Sequence, residues 1–373
     1  MTVGAAVGAA RGAPSVFPGR EAPLIFRQLF DCVSCTYTYL LGGRRGGEAL
    51  IIDPVAEKVD HYARLLGELG LRLAKAVDTH VHADHITGLG RLRDLTRCVT
   101  VMGRRSAVDV VSMRVDEGDR IEIDDVSLGV LYTPGHTDDS YSFVMPDRVF
   151  TGDALLIRGT GRTDFQNGDA RLAYDSLFNK LLRLPDETLV YPAHDYKGDT
   201  VSTIGEERAF NPRLQVKSAD EYAALMGGLG LPDPKMMDVA VPANRAIGLS
   251  QAEPAIREGT LAAGEAMKRL GRPDVLFVDL REDGERRRDG VIPGSLHAPY
   301  GRLGDHVKRG GLLSAIAAET GKELLLYCAF GERSALALKA MREAGIAGVR
   351  HLGGGLDAWV KAGGAVDRPA AGG

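Results

Sequence analysis

Short apolar runs alternate with helix-period segments from about residue 24 to 245, the pattern of an α/β domain in which strands are covered by helices. EALIIDPV predicts a buried strand. The segment after it places Tyr62, Leu65, Leu66 and Leu69 at i, i+3, i+4 and i+7, one face of an amphipathic helix. LAKAVDTH, VSLGVLYTPGH, RVFTGDALL and TLVYPAHD predict further strands, and each ends in a polar residue able to bind metal. Several strands would thus deliver ligands to one edge of a sheet. CVSCTYTYLL also reads as a strand, in which the odd separation of Cys32 and Cys35 would turn them to opposite faces. Residues 246–265 turn Ala/Glu/Gly-rich and predict a linker leading into a short helix. A second α/β unit over 266–373 opens with VLFVDLRE and continues with the strand LLLYC, a loop, and the helix SALALKAMREAG ended by Gly345.

Length and composition fit this division. A chain of 373 residues exceeds what one core usually supports, and its 44% hydrophobic and 26% charged residues are those of a globular protein. Residues 1–23, Gly/Ala-rich and without a compact apolar segment, predict a disordered tail; a mitochondrial transit peptide has a similar composition. The net charge of -4 is spread along the chain, which argues against a nucleic-acid partner. The basic run Arg286 to Arg288 is interleaved with acids and reads as a solvated face. No apolar run approaches the ~18 residues that span a bilayer, so no membrane partner is expected. Four cysteines make no disulfide framework, which points to a reducing cytoplasm, and Cys98 beside VTVM reads as a buried small hydrophobe.

The chemistry concentrates in THVHADH, which supplies His80, His82, Asp84 and His85 at a strand end. Three imidazoles and a carboxylate in so short a stretch are poor core material, since each would need its own partner when buried. His136 in TPGH, Asp153 in TGDA and His194 in PAHD bring the candidate ligands to seven. This set resembles the metallo-β-lactamase superfamily, which implies an αββα sandwich with metal at the edge of two packed sheets. Members with all seven ligands often hold two zinc ions for hydrolysis.

Four separated segments, FDCVSCTYTYLL, DALLIRGTGRTDFQ, YPAHDYKGDTVSTIGEERAFNPRL and VPAN, resemble the glutathione-persulfide dioxygenase branch of that superfamily. The resemblance implies one Fe(II) per chain on His80, His136 and Asp153, with His82, Asp84, His85, His194 and Asp195 around the site. It also implies glutathione as co-substrate, with glutathione persulfide and O2 converted to sulfite. Two imidazoles and a carboxylate on one face of an octahedral iron leave room for both sulfur and O2. Arg162 is the first candidate to bind the substrate's carboxylates, Arg213 the second, and Tyr196 lies beside His194 and Asp195.

In the second unit Cys328 opens CAFGERS between a strand and a helix, where backbone N–H groups and the helix N-terminus would stabilise a thiolate or persulfide. The loop runs Ala329, Phe330, Gly331, Glu332 to Arg333, whose charge would assist. CAFGERSALALKAMREAG, with VLFVDLRE before it and HLGGGLDAW after, resembles a rhodanese domain with a parallel sheet. That implies sulfur transfer through a Cys328 persulfide, from a donor such as thiosulfate. Asp279 and Arg281 read as structural, Trp359 and His297 as packing residues. A phosphatase of this fold needs Cys-x5-Arg, whereas Cys328 to Arg333 is Cys-x4-Arg. Glu332 departs from strongly basic thiosulfate loops and leaves the donor open. The rival reading is a binuclear zinc glutathione-thioester hydrolase of the glyoxalase II type with a rhodanese sulfide-sensing module. Sulfur flux in either direction and a homo-oligomer are compatible with the sequence.

Overall fold

The computed structural model describes residues 24–231, 236–250 and 253–369, so the expected tail over 1–23 lies outside the described residues. Six strands, β1 (Ile25–Asp31), β2 (Thr36–Gly42), β3 (Glu48–Ile52), β4 (Arg72–Val77), β5 (Val99–Gly103) and β6 (Met113–Val115), form a first sheet in sequence order. A second sheet holds β7 (Arg120–Ile123), β8 (Val126–Tyr132), β9 (Tyr141–Val144), β10 (Arg148–Gly152), β11 (Leu189–Pro192) and β12 (Ser202–Thr203). Strand periodicity explains how they stack. Leu50 and Ile52 of β3 enter the apolar layer shared with Tyr141, Phe143 and Phe150 of the second sheet. Ala49 and Ile51 turn the other way, onto helices Val59–Leu69 and Leu89–Thr96. Leu177, Tyr222 and Met226 cover the outer face of the second sheet. The result is the four-layer αββα sandwich that the sequence predicts.

A third sheet, wholly parallel, runs in the order β13 (Thr260–Leu261), β17 (Val349–Leu352), β16 (Glu323–Tyr327), β14 (Val275–Asp279), β15 (Leu296–His297). One face buries Phe277, Leu325 and Trp359, while Val278, Leu324 and Leu326 join the apolar cluster that extends from the first domain. Among the described residues no helix is long and apolar enough to cross a membrane.

Three local expectations are corrected. Cys32 and Cys35 occupy the turn between β1 and β2 rather than a strand, because Asp31 accepts the Ser34 N–H at 2.9 Å and Cys35 takes a left-handed φ of 59°. The stretch expected as a linker contains helix Pro254–Arg257 and β13, which pairs with β17 and thus belongs to the third sheet. Arg288 is not part of a freely solvated face: it reaches Asp119 of the first domain at 2.5 Å.

Candidate active sites

The metal candidates stand where four strands end. His80, His82 and His85 follow β4, His136 follows β8, Asp153 follows β10 and His194 follows β11, so both sheets feed one edge of the sandwich. His80, His136 and Asp153 are buried and bring one ligand atom each within 4.8 Å of one another. Each is pinned on its other side. The Thr79 hydroxyl holds His80 Nδ1 at 3.0 Å, the Arg162 carbonyl accepts from His136 Nδ1 at 2.8 Å, and His194 Nδ1 holds Asp153 Oδ1 at 2.7 Å. Two imidazole Nε2 atoms and one carboxylate oxygen are left facing a common point, the orientation that outer hydrogen bonds give to metal ligands.

Charge follows the same division. Burial and the neighbouring His82 keep His80 neutral, as a ligand must be. Burial works against the Asp153 carboxylate, yet the imidazoles of His194, His136 and His80 hold it well below the usual carboxylate range. His82 has a different fate. Although burial opposes its charge, Asp53, 3.1 Å from its Nε2, pushes it up to about 9. Its Nε2 is thereby committed to Asp53, whereas its Nδ1 is buried without a hydrogen-bond partner.

The remaining ligands of a second ion surround a protein atom. Thr36 Oγ1 lies 3.2 Å from Asp84 Oδ2, 3.3 Å from His85 Nδ1 and 3.1 Å from His194 Nε2. His194 also sits 2.8 Å from Asp84, and burial notwithstanding, Asp153 and Asp84 raise its pKa well above normal. The Thr36 hydroxyl thus ties Asp84, His85 and His194 together, while His82 Nδ1 and His85 Nε2 stay buried without a hydrogen-bond partner and, with Asp84, make a second candidate metal set.

Two supporting residues escaped the sequence reading. Asn244 of VPAN donates to the carbonyls of His82 and His85 at 2.9 and 2.8 Å and accepts the Thr87 N–H, tying down the THVHADH loop. Gly161 lies against the His136 ring, where a Cβ would come within 2.8 Å of it. Neither residue type announces such a role; only the GTGR spacing hinted at close approach.

The substrate candidates divide. Arg162 is forked onto Asp164 at 2.6 and 2.7 Å and stacked over Phe165, so its charge is already matched. Arg213 is half-buried and donates to the Thr160 carbonyl, with no carboxylate partner among the described residues. Tyr196 is exposed and stacks parallel to His194 at 6.0 Å. Asp195 accepts the N–H groups of Lys197, Gly198 and Asp199, which shapes the loop beneath Tyr196.

The second site is Cys328, fully buried at the end of β16 and before helix Glu332–Glu343. Gly331 donates its N–H to Sγ at 3.2 Å, from a left-handed φ of 92° that favours glycine. Arg333 is buried and forked onto Glu285 at 2.7 and 2.6 Å. Glu332 points out of the loop altogether: its carboxylate is fully buried against Arg93, Thr100 and Ser112 of the first domain and the Leu249 N–H of the segment that follows it. Arg281 forks onto Asp279, Trp359 is buried and donates to the Ala365 carbonyl, and His297 bonds the Arg281 carbonyl.

This fold, metal edge and cysteine loop define a metallo-β-lactamase-superfamily enzyme carrying a C-terminal rhodanese-like domain. The superfamily matches over residues 35–109 and 103–194, and the rhodanese-like domain over 262–362. Human "Persulfide dioxygenase ETHE1, mitochondrial" is 50% identical over 234 residues, 62% of this chain and 91% of that protein. The crystal structure of ETHE1 from Myxococcus xanthus superposes with a TM-score of 0.58 at 54% identity, covering 60% of this chain and 98% of that one. A hydroxyacylglutathione hydrolase of Rhodopseudomonas palustris is more distant, at 33% over 68% of this chain and 96% of that protein. The chain belongs to the persulfide dioxygenase family, with a rhodanese domain added after it.

Proposed function

We propose that the chain oxidises glutathione persulfide with O2 to sulfite and glutathione at a single Fe(II), and that its rhodanese domain transfers sulfur through a Cys328 persulfide. The support for the first half is the His80, His136 and Asp153 set, pinned on its outer side and gathered on one point in a chain 50% identical to a persulfide dioxygenase; His82, Asp84 and His85 make a second candidate set, which metal content tests. His80, His136 and Asp153 would hold the iron, a facial set of two nitrogens and one oxygen that suits it. Bound there, iron supplies open positions at which a sulfur anion and O2 can meet. The reaction balances as persulfide plus O2 plus water giving thiol, sulfite and two protons. Asp153 stays ionised and His80 neutral throughout, while protonated His194 fixes the Asp153 carboxylate. Arg213 becomes the preferred cation for a glutathione carboxylate, because Arg162 is already matched by Asp164.

In the second half the Cys328 thiolate takes the outer sulfur of a donor such as thiosulfate and passes it to glutathione. The Gly331 N–H at Sγ favours negative charge there. Metal content of protein purified without oxygen, paired with an oxygen electrode, tests the main reading. About one iron per chain and persulfide-dependent oxygen uptake support it. Two zincs with hydrolysis of S-lactoylglutathione and no oxygen uptake would replace it with the hydrolase.

A further inference from the structure

Cys328 is itself fully buried, and the loop that follows it meets a partly open cavity. Ala329 and Phe330 floor this cavity, of about 250 Å³, in the crevice between the two domains. Arg104 and Arg114 of the first domain wall it on one side, Arg281 and Arg288 of the second on the other, with Leu356 and Val360 adding apolar surface. Three carboxylates also line it, but Glu285 is held by Arg333 and Asp357 by Lys361, and Asp289 is shared between Arg104 and Arg288. Arg114 makes no direct ion pair, Asp109 and Asp357 acting on it only from beyond contact distance. Its guanidinium bonds only the carbonyls of Gly103, Ser106 and Val108 and lies over the Phe330 ring at 5.6 Å. Arg281 adds a second open donor: the residue is fully buried, yet its Nη1 has no hydrogen-bond partner.

A cation with no direct ion pair, an orphaned guanidinium donor and a floor made by the two residues that follow the nucleophile suit a small anion with a soft sulfur end. The volume is below that of sites for drug-sized ligands, which favours a sulfur oxyanion over a large conjugate. We propose that this crevice is the anion subsite through which a sulfane-sulfur oxyanion of the thiosulfate class reaches Cys328, so that the first domain completes the sulfur-transfer site. This rests on the sulfur-transfer reading above. The Cys328 thiolate attacks the outer sulfur, the S–S bond of the donor breaks, and sulfite leaves with the bonding electron pair as the Cys328 persulfide forms. Charge is conserved and no oxidant is needed. Arg114 and Arg104 hold the leaving sulfonate.

The test is calorimetric titration of thiosulfate into the full-length Cys328→Ser protein, which binds without turning over. Adding Arg114→Gln should weaken binding about tenfold, the loss of one charge-assisted contact, and Arg104→Glu should weaken it at least as much. Arg114→Lys should retain most of the affinity, which separates charge from the packing role of the carbonyl bonds. Oxygen uptake with glutathione persulfide should stay unchanged in the Arg104 and Arg114 variants on the native Cys328 background. Equal affinity in all variants, or no binding to the Cys328→Ser chain, would overturn the subsite. The parent reading fails separately, if the native chain shows no thiosulfate-to-thiol turnover.

Discussion

Replacing Glu332 by alanine tests how the two domains are joined. Its carboxylate is fully buried, accepts from Arg93 at 2.8 Å, Thr100 at 3.0 Å, Ser112 at 2.5 Å and the Leu249 N–H at 2.9 Å, and belongs to the residue just before Arg333. Removing it strands the Arg93 guanidinium, whose side chain is only 5% exposed. Asp94 and the Ile247 carbonyl still bond Arg93, but Asp94 is mostly exposed and compensates weakly. Breaking one side of a buried pair costs about 3–5 kcal/mol, so unfolding by denaturant should lose that much relative to the native chain. Glu332→Gln keeps the shape and two acceptor lone pairs, and should lose less than half as much. Because the loop carrying Gly331 is anchored by this carboxylate, sulfur transfer should fall in both variants while persulfide-dependent oxygen uptake persists. A loss below about 1 kcal/mol in the alanine variant would refute the argument, since it would place the carboxylate among ordinary surface pairs.

Asp153→Ala should lose iron, read by metal analysis, and oxygen uptake with it, while thiosulfate-to-thiol transfer survives. Cys328→Ser should do the reverse, and its persulfide adduct should be missing from the mass spectrum after incubation with donor. Thr36→Ala should open the space between Asp84, His85 and His194, so that zinc loading measured by equilibrium dialysis rises above one ion per chain. His351 supplies a pH signature: burial, with the Arg342 guanidinium behind it, pushes its pKa down to about 4, against about 6.5 unfolded. The unfolded chain therefore binds the proton first on acidification. Stability is full above pH ~6.5 and falls by about 3 kcal/mol as the pH drops to 4. His351→Gln should flatten that slope in denaturation midpoints taken across the range.

The ligand edge was legible because the relevant information is local. Each of THVHADH, TPGH, TGDA and PAHD puts its polar residue just after an apolar run, and a strand end is where such a residue must emerge. What Thr36 does among these donors was not legible. Thr36 looks like any strand threonine, and its meaning depends on His194, 158 residues away. The Cys32–Cys35 turn was hidden by the apolar run continuing through it, although Asp31, with Ser34 three residues on to cap it, carried the signal.

The cysteine loop shows the same limit acting on charge. CAFGERS reads as one acid against one base, a weak site for an oxyanion. In the fold both are paired with residues remote in sequence, Glu332 with Arg93 and Arg333 with Glu285, so Arg333 acts on Cys328 only through a charge already shared with Glu285. What remains near the sulfur is the Gly331 N–H, and near the loop the guanidinium of Arg114, brought in by the other domain. A loop's composition predicts its potential only when its charges stay in the loop. Here they are used to fasten the domains together, and the positive character that an anionic donor requires comes from across the interface.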